Sequence, residues 1–203
     1  MHRFSFLFLL LSACTALPTA PVAPDAARTD VLNWPGGHGT VEARLHSEGS
    51  SAVVASGTVS DAGVLEFVMQ PVSAAQLTPF APCPGVTVSD TVSNTGSAGT
   101  LRLGTFSALE LPDGGRIAYA SSLSVVTSGV QRTGDSYLQY TYADRAARLE
   151  GRCRTSLATF AYALELEAGW NAVRFEKTGA GLFTLSGAPL PKGSGWFFSG
   201  AGQ

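Results

Sequence analysis

The side chains best suited to proton transfer near neutral pH or to metal binding in this chain are three histidines, three cysteines and fifteen carboxylates. His2 lies in the apolar opening segment, which leaves His38 and His46 as candidate bases for a Ser-His-Asp arrangement. His38 sits among glycines in WPGGHG, where flexibility opposes the preorganisation a catalytic base requires. His46 alternates onto the polar side of VEARLH and reads as a solvated imidazole. The sequence contains no GxSxG pentapeptide, the signature of a nucleophile elbow. Glu165 and Glu167, two residues apart on one strand face, would stand ~7 Å from each other, a separation compatible with paired-carboxylate glycosidic chemistry. They share that face with Thr159, Ala161 and Ala163, so it reads as exposed sheet surface. Asp61 and Asp113 stand beside glycine in turns, where aspartate is favoured for backbone reasons alone. No dense aspartate loop suggests calcium, and no cysteine lies in a CxxC pair, so neither calcium nor zinc is expected. No cofactor is expected either.

Two further groups could bind rather than react. Arg145, Arg148, Arg152 and Arg154 are concentrated in one stretch, and on a strand the last three would share a face able to meet an anionic partner such as a phosphate-bearing glycan. Because Arg outnumbers Lys eleven to two, a polar outer face is the plainer reading. Tyr140, Tyr142, Trp170 and Trp196 are the candidate ligand contacts, as a stacking platform for sugar rings or a Tyr/Trp anchor for a protein. Tyr140 and Tyr142 fall in phase with Leu138, which argues for the core, and Trp170 precedes its strand as a cap on one end of the fold.

The elements that would position these groups are strands. In VEARLH, Val41, Ala43 and Leu45 alternate with polar residues, and in VLEFVM Leu65, Phe67 and Met69 do the same beyond the Asp61-Ala62-Gly63 turn. Ser73 and Gln76 form a capping-box pattern for a single helical turn in SAAQL. TLRLGTFSALELPDGGRIAYASS predicts a hairpin, with Leu101 and Leu103 on one arm, a turn at Pro112-Asp113-Gly114-Gly115, and Ile117 and Tyr119 returning. ARLEGRCR has helix-forming residues, yet Ala147, Leu149, Gly151 and Cys153 alternate with charges, which favours a strand with the cysteine inward. Ala158, Phe160, Tyr162, Leu164 and Leu166 share one face of the next strand, followed by Val173 and Phe175, then Phe183 and Leu185, and finally GWFFSG. About a dozen short strands with Gly, Ser and Pro turns predict an all-β fold: an antiparallel β-sandwich, Ig-like or transthyretin-like, as one large or two small sandwiches.

The chain opens MHRFSFLFLLLSAC. The apolar run Phe4 to Leu11 is far shorter than the ~20 residues of a membrane-spanning helix and has the layout of a secretory signal. Leu11-Ser12-Ala13-Cys14 resembles the lipobox of bacterial lipoproteins. That resemblance implies cleavage before Cys14, lipid on its thiol and amine, and a periplasmic or outer-surface envelope location. If Cys14 carries lipid, Cys83 and Cys153 remain as a pair for a disulfide, the alternative being two unpaired core thiols. TALPTAPVAPDAARTDVLN, rich in proline and without periodicity, reads as a tether. The expected organisation is a signal peptide at 1–13, lipidated Cys14 and a Pro/Ala tether over 14–35, and two β halves at 36–125 and 126–203, or one domain at 36–203. GTVSDAGVLEFVMQPV is similar to the paired strands of transthyretin-like or carboxypeptidase-regulatory-like modules, which bring no catalytic residues to these positions.

With Arg3 removed the balance is 12 basic to 15 acidic residues, too mild to imply nucleic acid or an anionic membrane surface as partner. The expected function is a non-catalytic cell-envelope lipoprotein with a structural or interaction role, held on a membrane by its lipid. The alternatives are a glycan- or protein-binding accessory module on the cell surface and, third, a hydrolase with an unrecognised site.

Overall fold

The computed structural model describes residues 26–47, 50–81, 83–89 and 100–201. Cys14, the expected signal peptide and the first part of the expected tether lie outside the described residues. The described strands are β1 (Ala26–Leu32), β2 (Gly39–Ser47), β3 (Ser50–Val59), β4 (Val64–Met69), β5 (Thr78–Pro79), β6 (Val86–Ser89), β7 (Arg102–Phe106), β8 (Leu109–Glu110) and β9 (Arg116–Ala120). After helix α1 (Leu123–Ser128) come β10 (Ser136–Ala143), β11 (Ala147–Arg154), β12 (Thr159–Leu166), β13 (Gly169–Gly179), β14 (Leu182–Ser186) and β15 (Gly195–Ser199).

The period-two patterns form the strands they predict. Val41, Ala43 and Leu45 of β2 and Leu65, Phe67 and Met69 of β4 are all buried. Between β3 and β4, Gly63 adopts φ +80 and its N–H donates to the Ser60 carbonyl at 2.8 Å, a conformation a Cβ would strain. Before β5, a 3-10 turn spans Ala74–Gln76, and the Gln76 side-chain oxygen accepts the Ser73 N–H at 2.7 Å.

The fold is all-β, but its first layer is a closed seven-strand barrel, not one sheet of a sandwich. The wall runs β15-β1-β4-β3-β2-β8-β9, and β15 pairs back onto β9. A half-buried strand has the same alternation in either architecture. Closure depends on β15 lying between β1 and β9, a long-range pairing that period two does not encode. The arrangement is also not wholly antiparallel, because β15 runs parallel to β1 and β14 parallel to β12.

From the barrel the sheet continues through β10, β13, β14, β12, β11 and β6. This outer layer is joined on the other edge of β10 by β7 and then β5. Two cores result. The barrel holds Val41, Leu65, Phe67, Ile117 and Trp196, joined by Phe106, Tyr140 and Trp170 from β7, β10 and β13. The second core, under the outer layer, contains Leu101, Leu149, Leu164, Leu166 and Val173. β13 faces both cores, so Trp170, Asn171, Ala172 and Val173 are buried in succession. The two β halves interlock: β6 pairs with β11, and β15 completes the barrel.

Three elements differ from expectation. Ala26–Leu32, expected within the tether, is barrel strand β1, paired with β4 and β15. Its inward residues, Ala27, Thr29 and Val31, make too weak an apolar stripe to stand out beside Arg28 and Asp30. The long hairpin is split: only β8 returns onto β9, through a turn in which Asp113 Oδ1 accepts the Gly115 N–H at 2.9 Å, while β7 pairs with β5 and β10. The chain changes layer there, since Leu101 lies in the second core and Phe106 in the first. Finally, α1 stands where the sequence pattern predicts no element. Its valines and threonine are poor helix formers, and burial of Val125 against the sheet compensates.

Candidate functional site

The four nominated aromatics do not form a platform. Tyr140, Trp170 and Trp196 are buried in the barrel core, where Tyr140 stacks on Phe106 at 5.1 Å and Phe67 meets Trp196 edge-on at 5.4 Å. The Trp170 Nε1 donates to the Gln70 carbonyl at 3.0 Å, so its polar handle is already used. Trp170 is part of β13 and packs in the core, not as a cap ahead of the strand. Tyr142 is half-buried and meets Trp170 edge-on at 5.3 Å, in a dent that also includes Met69 and Pro71. Burial pushes the Tyr140 hydroxyl well above its ordinary value, with Tyr119 adding to the effect, so it stays protonated at neutral pH.

The other candidates are dispersed. His38 is exposed in the irregular segment before β2, and the His46 side chain lies outside the described residues. Glu165 lies 3.7 Å from the Arg148 guanidinium, which also binds Glu150 at 3.0 Å, so Glu165 and Glu167 are not a matched pair of carboxylates. Arg152 and Arg154 are exposed on the outer face of β11. Among the described residues no group of three or more His, Cys, Asp or Glu could hold a metal ion.

The inner face of the outer layer is different. β11, β12, β13 and β14 direct Cys153, Phe160, Phe175 and Phe183 to one side, as their registers require. With Tyr137 of β10 they make a row across neighbouring strands. Tyr137 and Phe175 stack at 5.1 Å and 25°, Phe175 and Phe183 lie 5.3 Å apart at 32°, and Phe183 and Phe160 stack at 5.4 Å and 21°. These separations are close to the ~4.8 Å spacing between strands. The rings therefore stand side by side with faces toward each other and edges outward. All four are only half-buried.

The row ends at the disulfide. Cys153 pairs in register with Phe160 and is bonded to Cys83, with the Cα atoms 5.7 Å apart. The bond pins the loop after β5 to β11, where Arg152 N–H also donates to the Gly85 carbonyl at 2.9 Å. That approach needs glycine at 151, since a Cβ there would lie 2.0 Å from the Gly85 oxygen.

Beside the row, β5 and β7 cover the rest of the same face incompletely, leaving a cavity of about 330 Å³. Leu149, Leu164, Leu166 and Val173 line its depth, and Phe80, Leu103, Tyr162 and Leu185 its half-buried sides. Thr78 and Thr105 are exposed and Gln76 half-buried, and Gln139, the buried Thr141 and the Tyr162 hydroxyl add the remaining side-chain polarity. None of the lining side chains is charged. Phe80 and Tyr162 meet edge-on at 6.3 Å, and burial raises the Tyr162 hydroxyl above its ordinary range.

Sequence phasing assigns Phe160, Tyr162, Phe175, Phe183 and Leu185 to an inward face without showing that half of that face lacks a cover. The available signal is a surplus of phenylalanine on three adjoining strands, more apolar area than the two-residue β5 and short β7 can cover. Comparison with protein-family models, curated proteins and solved structures finds no match to this chain.

Proposed function

We propose that the chain is a non-catalytic lipoprotein of the bacterial cell envelope, anchored through lipid on Cys14, whose folded body has an interaction role. The interaction reading rests on the half-exposed aromatic row beside an uncharged cavity. Contiguous apolar surface of this kind marks a binding face more often than an inert one. The anchor rests on the resemblance of LSAC, after a short apolar segment, to a lipobox.

The ring geometry favours an apolar partner over a glycan. Sugar rings stack on exposed aromatic faces, whereas these rings turn their faces to one another. An enzymatic reading has no comparable support, because His38 is exposed among glycines and Glu165 is engaged by Arg148.

Intact-mass measurement of protein extracted from bacterial membranes tests the anchor. The expected species begins at Cys14 with lipid attached, and a water-soluble product starting after Ala16 or Ala20 would overturn it. The binding face is tested with 1-anilinonaphthalene-8-sulfonate, whose emission should rise on the folded protein and fall severalfold in a Phe175→Ser/Phe183→Ser variant that still unfolds cooperatively. An equal response from both proteins would refute the role given to the row.

A further inference from the structure

We infer that the 330 Å³ cavity is a binding site for a single aliphatic chain carrying an uncharged polar head group. This deepens the interaction role proposed above and does not depend on lipid at Cys14. Its volume lies at the lower end of the range for small-molecule sites.

The polarity gradient specifies the occupant. The most buried walls, Leu149, Leu166 and Val173, are essentially solvent-free aliphatic side chains with the buried Thr141 hydroxyl beside them, while the mouth carries Gln76, Thr78 and Thr105. A hydrocarbon tail fits the first region and hydroxyls or esters the second. No lining side chain is charged, so an ionised head would enter without a counter-charge.

A peptide fits less well. Most of the backbone around the cavity is already paired, β5 with β7, β7 with β10 and β10 with β13, and the outer edge of β5 is only two residues long and includes Pro79, which has no N–H to offer. A second main chain inserted there would leave its own amides without partners. Gln139 offers little help, since its amide is directed to Thr141 at 3.5 Å. An alkyl chain makes no such demand and fills volume that water occupies poorly between aliphatic walls.

The test uses the full chain carrying Cys14→Ser, purified without detergent, and monoacylglycerols of six to twelve carbons as probes in native mass spectrometry and calorimetry. One molecule should bind per chain, with affinity rising roughly fourfold per added methylene, from ~0.8 kcal/mol each, and levelling once the cavity is full. Leu185→Trp, which adds bulk to a half-buried wall, should weaken the longest bound chain at least tenfold. If that variant does not fold, the plateau in the chain-length series decides the question. Val68→Ser, at an exposed barrel position outside the cavity lining, should bind within about twofold of the parent, and the dye response of Phe175→Ser/Phe183→Ser, measured separately, distinguishes a failure of the aromatic row from a failure of the cavity. Absence of a one-to-one complex, affinity climbing without a plateau, or unchanged binding by folded Leu185→Trp would each overturn the assignment.

Discussion

Removing the Cys83–Cys153 bond should lower stability substantially, by an amount set by its place in the chain. The cysteines are 70 residues apart, so the bond closes a long loop in the unfolded ensemble. With n near 70, the chain-entropy relation gives an entropy difference of about 15 cal/mol/K, or about 4.4 kcal/mol at 25 °C. The native side adds a local effect. The bond holds the loop after β5 against β11, beside the Arg152 to Gly85 hydrogen bond and the register of β6 on β11. A Cys83→Ala/Cys153→Ala variant should therefore lose ~4 kcal/mol in equilibrium urea unfolding. Amide exchange in β6 and in Gly151–Arg154 should accelerate most, while β2–β4 amides accelerate only as far as the new global limit. A loss under ~1 kcal/mol, or uniform acceleration with no local excess around β6, would refute both parts of the reasoning.

Asn171 is buried where β13 begins; its Oδ1 accepts the Glu167 N–H at 2.9 Å and its Nδ2 donates to the Glu167 and Gly169 carbonyls at 2.9 Å each. Asn171→Leu should cost about 3 kcal/mol in urea unfolding, because those backbone groups lose their side-chain partner. Leu149→Ala should cost about 2 to 5 kcal/mol, whereas Leu157→Ser, at a position 91% exposed, should stay within ~0.5 kcal/mol of the parent. Reversal of that order would contradict the assigned second core. Burial raises the hydroxyls of Tyr137, Tyr140 and Tyr162. Their unfolded forms ionise near pH ~10, so their stability contribution is intact below that pH and is lost as pH rises toward the higher folded values. The urea midpoint should fall steeply above pH ~10, together with the appearance of phenolate absorbance. A flat midpoint through that range would argue against their burial.

What the sequence made legible was phase. Val41-Ala43-Leu45, Leu65-Phe67-Met69 and Phe160-Tyr162-Leu164-Leu166 each point as period two requires, and β11 is a strand despite its helix-forming residues. What it concealed was coverage, because the partner of a face is chosen by distant pairings. β5 is two residues long and covers its part of the outer layer only through β7. β1 and β15, from opposite ends of the described chain, meet in parallel to complete the barrel. Local alternation carries no record of either event, so a barrel and a sandwich read alike. The helix at Leu123–Ser128 was hidden for another reason: its flanking Ser122 and Gly129 are suitable end residues, but Val125, Val126 and Thr127 between them favour strands.

The burial of the nominated tryptophans has its own physical logic. Tyr and Trp attract attention as ligand contacts because each joins an apolar body to a polar handle. Inside a fold the same handle can be satisfied by backbone, as the Trp170 indole is by the Gln70 carbonyl at 3.0 Å. Burial of such a ring then costs no lost hydrogen bond, and the barrel holds Trp170 in that dry interior. Phenylalanine has no polar handle to keep it wet, so its ordinary place is the core. Phe160, Phe175 and Phe183, side by side with their edges partly in water, are the less usual arrangement. On a layer whose neighbouring half β5 and β7 cover only in part, that residual exposure directs the binding proposal to the phenylalanine row and its adjoining cavity, away from the tryptophans.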